Sequence, residues 1–155
     1  MKAQEVLDYL EIRRTPVREA VLEILLEDMR PLSYREVAAR LSGRQDRVTL
    51  YRTLLLLLEK GIVHRAQDME GTWRYCAHVP APGCPGNHPH FSCRMCGRMT
   101  CLAGFTLPRL ELEPGTIVEG KQMVVYGICA SCAGRFEETG GAGGRFPVKG
   151  KGEKR

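Results

Sequence analysis

Two pairs of cysteines constrain the fold of this chain more than any other feature. Cys93 and Cys96 form one CxxC motif, and Cys129 and Cys132 form a second. Two thiolates at this spacing can hold one side of a tetrahedral ion, and four thiolates make a closed site with no open coordination position. The spacing therefore predicts a structural zinc held by four cysteines, one per chain, that stabilises a small domain with few apolar residues.

The alternative interpretation is a pair of independent redox CxxC motifs. Such motifs favour a strand–helix junction in a larger α/β domain, and the pattern around these cysteines does not show one. The chain has seven cysteines, an odd number that cannot pair off completely. The segment Met1–Glu5 lacks the apolar core of a signal peptide, so we expect a cytoplasmic protein whose cysteines bind metal. No apolar run approaches the ~20 residues of a membrane span, so we expect no membrane association.

Helical periodicity and capping residues predict four helices in the first sixty residues. Val6, Leu7 and Leu10 mark the first helix, and Thr15 with Pro16 caps and begins the second.

A capping box opens the third helix, with Ser33 as N-cap and Glu36 three residues later. Asp46 can cap the fourth helix, which is predicted to run to about Lys60 and to stop at Gly61.

Two predicted strands follow, residues 62–66 and 72–76, and together with the helices they indicate a winged helix-turn-helix over residues 1–76. Proline and glycine then predict a linker over residues 77–90. Residues 91–138 form the zinc-stabilised domain, and residues 139–155 are expected to be a disordered basic tail. Within the second domain we expect a weak helix over 105–112 and a hairpin of strands 116–120 and 122–126. The fold class is thus α+β.

Positive charge is concentrated in two places. The net charge is +5, and residues 140–155 contribute five Lys or Arg against one Glu. Residues 30–52 hold six arginines against Glu36 and Asp46, namely Arg30, Arg35, Arg40, Arg44, Arg47 and Arg52. This cluster is typical of a phosphate-binding surface, although a solvated helix face would have the same composition.

A series of motifs resembles the ferric uptake regulator family, in that family's order, over residues 10 to 132. The motifs are Arg14-Thr15-Pro16, Leu32-Ser33, residues 48–54, Gly61-Ile62-Val63, Trp73-Arg74-Tyr75, the run from His88 to Gly97, and Tyr126-Gly127 before the second CxxC. The resemblance implies a dimeric bacterial repressor with a winged-helix head and a small α/β dimerisation domain.

The start of the fourth helix carries the predicted DNA contacts, because the amino end of a recognition helix enters the major groove. Arg47, Thr49, Tyr51 and Arg52 lie in its first turns. The resemblance implies that Tyr51 contacts a base through a thymine methyl and that Arg52 contacts a base or the backbone. Arg13 or Arg14, before the second helix, could reach a phosphate or the minor groove.

A second metal site is predicted on the wing. If Ala66 pairs with Thr72, then His64 faces Arg74 and lies diagonal to Cys76 on the same face of the hairpin. The linker then brings His88 or His90 past the hairpin, and Cys101 follows the first CxxC motif. These ligands suit zinc. The alternative is that these side chains bind no metal, and we do not expect His78 or Cys84 to be primary ligands.

The resemblance implies carboxylate ligands in iron-sensing members, at positions that Cys76 and Cys101 occupy here. Pro31 and Lys121 stand where histidines are usual in those members. The chain is therefore most similar to the zinc uptake regulator branch, with a second, regulatory zinc as co-repressor and palindromic operator DNA and a second copy of the chain as partners. An iron or peroxide sensor and a thiol redox switch are the alternatives. No His-Glu-x-x-His motif is present, so neither an enzyme nor a small-molecule substrate is expected.

Overall fold

The computed structural model describes residues 2–28, 30–41, 43, 46–77 and 88–138. Several sequence predictions fall outside these residues: the tail 139–155, most of the linker 77–90, Arg44, His78 and Cys84. The two ends of the predicted linker are described, and Ala77 and His90 each belong to a strand.

Four helices form the first half of the chain, as the sequence predicts: α1 (Ala3–Tyr9), α2 (Pro16–Asp28), α3 (Tyr34–Arg40) and α4 (Arg47–Glu59). The predicted caps are present. Ser33 Oγ accepts a hydrogen bond from the Glu36 backbone, and the Glu36 carboxylate accepts one from the Ser33 backbone. The Asp46 carboxylate accepts from the Thr49 backbone at 3.3 Å. Gly61, with a φ of +70°, follows the last helical turn, where a left-handed residue ends a helix at low cost.

One hydrophobic core lies beneath these helices. Its members come from α1 to α4 and from the sheet described next, and the largest fully buried ones are Leu7, Leu22, Leu25, Leu32, Leu50, Leu54 and Leu57. The buried leucines of α4 recur every three or four residues, so one face of that helix faces the core and the opposite face is left for solvent.

Three strands form the wing sheet: β1 (Leu32–Ser33), β2 (Val63–Gln67) and β3 (Trp73–Ala77), in the order β1-β3-β2 and all antiparallel. The predicted register was wrong by two residues, because Ala66 pairs with Arg74 and not with Thr72. The loop has the predicted length of five residues but lies one residue later, at residues 68–72, where the Asp68 carboxylate accepts from the backbones of Glu70 and Thr72 and organises it. A slip of two residues preserves the face of every side chain.

The second sheet contains β4 (His90–Cys93), β5 (Met99–Cys101) and β6 (Val124–Gly127) in the order β5-β4-β6. Strand β5 is antiparallel to β4, whereas β6 is parallel to it. Helix α5 (Ala130–Glu138) follows β6. With helices and small sheets in sequence, the observed fold class is α+β, as predicted.

Two local predictions in the second half were wrong. Residues 105–112 are not helical, because Pro108 lacks an N–H and disfavours a helical conformation at Leu107. Residues 116–120 form no strand, so the predicted hairpin is absent, and β6 pairs with the distant β4.

An ion-pair network joins α3 to the wing. Arg74 donates to Glu36 at 2.7 Å and to Asp68 at 2.8 Å, and Arg30 donates to Glu36 at 3.0 Å. Burial opposes the ionisation of Glu36, but the hydrogen bonds from Ser33 and Arg30 and the charge of Arg74 outweigh it and lower its pKa to about 2. The network fixes the angle between α3 and the wing.

Candidate metal centre and nucleic-acid interface

The four cysteines of the two CxxC motifs converge as predicted. Their sulfur atoms all lie within 4.8 Å of one another. Cys96 Sγ and Cys129 Sγ are 3.8 Å apart, close to the roughly 3.8 Å edge of a tetrahedron with metal–sulfur distances near 2.3 Å. The spacing of the donors fits a four-coordinate ion.

The parallel pairing of β4 with β6 brings the two motifs together. Cys93, the last residue of β4, pairs with Gly127, the last residue of β6. Each CxxC motif therefore begins at or just after the end of its strand, and the two parallel strands end side by side. The backbone N–H of Arg94 donates to the Gly127 carbonyl at 2.8 Å and fixes this edge. Gly97 has a φ of +67°, which allows the tight turn after the first motif.

The sulfur atoms of Cys93 and Cys132 accept hydrogen bonds from neighbouring groups. Burial opposes the ionisation of Cys93, but backbone N–H groups, led by that of Cys129 at 3.3 Å, lower its pKa to about 6. Arg135 donates to Cys132 Sγ at 3.5 Å. The thiolate is the form that binds metal, and the lowered pKa means that Cys93 is already in that form near neutral pH.

A second cluster lies between the wing and the second sheet. It contains His64 of β2, His88, His90 of β4 and Cys101 of β5, and their ligand atoms all lie within 4.8 Å of one another. His64 Nε2 and His90 Nε2 are 3.3 Å apart, which matches the roughly 3.4 Å edge of a tetrahedral site with metal–nitrogen distances of ~2.0–2.1 Å. Sequence reasoning left the choice between His88 and His90 open, and the structure brings both to the cluster.

Cys76 lies beside this cluster rather than within its set of four. The observed register places it directly opposite His64, and its Sγ is 3.5 Å from Cys101 Sγ. Cys101 in turn pairs with His90 across β5 and β4, and its Sγ is 3.9 Å from His64 Nε2. Two sheets thus contribute donors to one place.

Burial shapes the chemistry of the histidines. His88 and His90 are each only 3% exposed. Burial lowers the pKa of His88 against the opposing effect of Cys101, which favours the neutral imidazole. His90 Nδ1 is buried without a hydrogen-bond partner among the described residues. A neutral imidazole is the form in which histidine binds a metal ion.

The first turns of α4 are open to solvent. Arg47, Thr49, Tyr51 and Arg52 are exposed, and Tyr51 is 50% exposed. The Tyr34 hydroxyl donates to the Arg47 carbonyl at 3.2 Å and holds the start of the helix.

Val48 is also 50% exposed, one turn before Tyr51, and sequence reasoning missed it. An exposed β-branched apolar residue on the face opposite the core leucines was the signal that could have identified it.

Arg14, another residue predicted to contact DNA, is paired with carboxylates, unlike the exposed residues at the start of α4. Its guanidinium donates to Glu19 at 2.9 Å and lies 3.4 Å from Asp8, and the hydrogen bond to Glu19 is the main reason that its pKa is raised. Two carboxylates therefore offset the charge that Arg14 would offer to a phosphate.

Comparison with known sequences decides the family. The sequence model of the ferric uptake regulator family matches residues 10–125, about three quarters of the chain. The chain belongs to the ferric uptake regulator family. Members of this family are metal-responsive transcriptional regulators, not enzymes, which agrees with the sequence prediction.

Individual relatives differ in what they regulate. The chain is 28% identical to the ferric uptake regulation protein of Bacillus subtilis (strain 168) over 132 residues, covering 80% of this chain and 87% of that protein. It is 26% identical to the peroxide operon regulator of the same organism over 142 residues, covering 85% and 92%.

A solved structure of a zinc uptake regulator complexed with zinc and DNA has a TM-score of 0.62 at 22% identity, covering 87% of this chain and 93% of that one. This similarity confirms the fold. In the part of the chain that the structure describes, no helix combines the length and the apolar character that crossing a membrane demands.

Proposed function

We propose that this family member is a cytoplasmic, zinc-responsive transcriptional repressor that binds palindromic operator DNA as a homodimer. The observation that carries the proposal is the cluster of His64, His88, His90 and Cys101, which takes its donors from both the wing and the second sheet. A metal ion held there would connect the DNA-binding head to the second domain. Metal occupancy would then be coupled to the position of the head.

The donor atoms favour zinc as the ion. The four members of the cluster are three imidazoles and one thiol, and the thiol of Cys76 lies beside that of Cys101. Imidazole and thiolate suit zinc, whereas carboxylate-rich sites suit manganese and many iron sites. Cys76 is proposed as a further ligand that exchanges with one of the four.

The four-cysteine cluster is proposed to hold a separate, permanent zinc. Its four thiolates complete a tetrahedral ion and leave no position for exchange. Among the described residues the second sheet has three short strands, so this ion would supply much of its stability. We therefore propose two zinc ions per chain with different roles.

The regulatory step follows from the position of the donors. Bound zinc would act as a cross-link between imidazole and thiolate groups that belong to different sheets. His64 would hold the wing in place, while His90 and Cys101 would hold the second sheet in register with it. In a dimer this fixes the spacing of the two recognition helices, which must match two half-sites one helical turn of DNA apart.

The DNA contacts are proposed for the exposed amino end of α4. Tyr51 and Val48 offer apolar surface for a thymine methyl, and Arg47 and Arg52 offer donors to phosphate or to guanine. Thr49 can donate to either. To bind a phosphate, Arg14 would first have to break its ion pair with Glu19. We therefore expect it to contribute less to DNA affinity than the residues of α4.

The second domain is proposed as the homodimer interface. Several apolar side chains between residues 105 and 126 are exposed, among them Phe105 at 66% and Ile117 at 87%. Exposed apolar patches of this kind mark protein–protein contacts. Pairing of these surfaces in a dimer would remove both side chains from water.

The test is a titration of operator affinity against free zinc. A duplex is first selected from a randomised pool with the zinc-loaded protein, and its binding is then followed by fluorescence anisotropy. Zinc should tighten binding by about 5–150-fold, the usual range for coupled sites. Iron(II) and manganese(II), buffered in the same way, should tighten it far less.

The matched variants are His64→Ala and Thr100→Ala. His64 is half-buried in the cluster, while Thr100 is exposed on β5, on the face opposite the neighbouring Cys101. His64→Ala should abolish the zinc dependence and Thr100→Ala should keep it. Zinc-independent affinity in the wild type, or a steeper response to iron(II) or manganese(II), would refute zinc sensing while leaving the family intact.

A further inference from the structure

The two sulfur atoms of the second cluster lie next to each other. Cys76 Sγ and Cys101 Sγ are 3.5 Å apart, although the residues belong to different sheets. A disulfide has an S–S distance of ~2.05 Å, so the atoms would need to close by only about 1.5 Å. Cys101 ends a three-residue strand at the edge of its sheet, where a small displacement disturbs few neighbours.

We propose that peroxide oxidises Cys76 and Cys101 to a reversible disulfide that expels the regulatory zinc and releases the operator. This inference rests on the proposed function, because it concerns the same metal site. It adds a second input: the repressor would respond to oxidant even when zinc is abundant.

The two thiols differ in accessibility, and this assigns their roles. Cys101 is half-buried, so an oxidant from solvent can reach it. Cys76 is fully buried, so it is shielded from direct attack but is within reach of Cys101. An accessible cysteine beside a resolving cysteine is the usual arrangement of a redox sensor, because the second thiol traps the first oxidation product before it is oxidised further.

The reaction balances with hydrogen peroxide as the oxidant. The zinc-bound thiolate of Cys101 attacks one peroxide oxygen, the O–O bond breaks, the zinc loses this ligand, and the departing hydroxide takes a proton from solvent to form water. Cys76 Sγ then attacks the sulfenic sulfur of Cys101, the S–O bond breaks, and the second hydroxide leaves as water with the proton of Cys76. Each sulfur loses one electron, and the two electrons reduce one peroxide to two waters.

Oxidation changes the donor set at the point where the two sheets meet. Thiolates bind zinc and disulfide sulfurs do not, so only His64, His88 and His90 would remain. Losing an outer-shell partner alone weakens metal sites by about 10–100-fold, and losing two sulfurs should exceed that. The disulfide would still join β3 of the wing to β5, but with the two sulfur atoms about 1.5 Å closer than they are now, so the wing would be held in a different position from the one that the zinc fixes.

The other cysteine cluster competes for the same oxidant. Cys96 is exposed, and its Sγ is 3.8 Å from Cys129 Sγ. Its zinc, however, is proposed to be permanent, so these thiolates would stay coordinated. The regulatory zinc must leave and return for sensing, which leaves Cys76 and Cys101 without metal part of the time. We therefore expect the regulatory pair to react first.

The experiment uses the full-length, zinc-loaded protein treated with a small molar excess of hydrogen peroxide. Three readouts are taken together: zinc released to a chromophoric chelator, disulfide-linked peptides in a non-reducing digest, and affinity for the selected duplex. We expect one zinc released per chain, a peptide pair joining residues 76 and 101, and a loss of operator affinity equal to what zinc confers, about 5–150-fold, that dithiothreitol reverses.

The matched variant is Cys101→Asp, which keeps a metal donor at the position and removes the oxidisable one. Each protein is compared with its own reduced form. The variant should show less than a twofold change in affinity on oxidation. A disulfide within the four-cysteine cluster or to Cys84, or an oxidised wild type that keeps its zinc, would overturn the inference.

These failures are separable from a failure of the proposed function. If the reduced protein shows no zinc-dependent DNA binding, the proposed function fails before any oxidant is added. If the reduced protein responds to zinc but the Cys76–Cys101 bond does not form, only the redox inference fails.

Discussion

The carboxylate of Glu36 offers a quantitative test of how the helical head is held to its wing. It accepts hydrogen bonds from both the backbone and the hydroxyl of Ser33, and it forms ion pairs with Arg30 and Arg74. Its pKa falls from an ordinary 4.5 to about 2. A Glu36→Gln substitution keeps the shape and removes the charge, so it isolates this electrostatic contribution.

The magnitude follows from the size of the shift. A change from 4.5 to about 2 corresponds to a ceiling of about 3.4 kcal/mol at neutral pH. The side chain is 33% exposed, and solvent screening reduces the expected loss to about 1–2 kcal/mol. Because the folded-state pKa is depressed, the stabilisation is fully present above pH 4.5 and disappears as the pH falls from 4.5 towards 2.

The assay is urea unfolding of wild type and variant at a series of pH values, followed by the fluorescence of Trp73, the only tryptophan, which lies on β3 beside Arg74. The stability gap should be about 1–2 kcal/mol at pH 7 and should narrow below pH 4.5. Glu59→Gln, on the exposed surface at the end of α4, is the control and should change stability by less than ~0.5 kcal/mol. A gap that is absent at pH 7, or that does not change with pH, would refute the argument.

Three further outcomes are expected from single substitutions. Leu54→Ala, at a fully buried position, should lower the free energy of unfolding by about 2–5 kcal/mol in urea titrations, and a loss below ~1 kcal/mol would mean that α4 is not packed as described. Cys93→Ser should remove the permanent zinc and the ordered signals of the second sheet in NMR spectra, while retention of both would show that the ion is dispensable. Tyr51→Ala should weaken binding to the selected duplex by about 1–3 kcal/mol with no change in zinc content, and an unchanged affinity would exclude this residue from the interface.

Local signals in the sequence were sufficient for the helical half of the fold. Each cap acts through neighbouring backbone groups, so Ser33 with Glu36 and Asp46 could be identified without knowledge of the tertiary structure. The same holds for the CxxC motifs, because their ligand spacing is short and is set by the chemistry of the ion.

Non-local pairing was beyond what the sequence pattern could specify. The partner of β6 is β4, far away in the chain, and nothing in a short β-branched run distinguishes a hairpin from a parallel pairing. The wing register was missed because the side chain of Asp68 organises the loop and shifts the pairing by two residues. The prediction that His64 and Cys76 lie on one face was still correct, because strand side chains alternate with a period of two and the register error was two residues.

The cluster of His64, His88, His90 and Cys101 was predictable only in part. Its residues could be named from the sequence, but the participation of both His88 and His90 required the structure, because these residues follow a segment rich in proline and glycine. The position of Cys76 beside Cys101, and not within the set of four, likewise emerged only from the meeting of two sheets.

The central claim is that the chain holds one permanent zinc and one exchangeable zinc, the second at the junction between wing and second sheet. Native mass spectrometry of the dimer, before and after mild chelation, tests it most directly. The account predicts two zinc ions per chain before chelation and one after, and a His64→Ala dimer with one throughout. A single zinc per chain in the wild type, or a second zinc that His64→Ala retains, would contradict it.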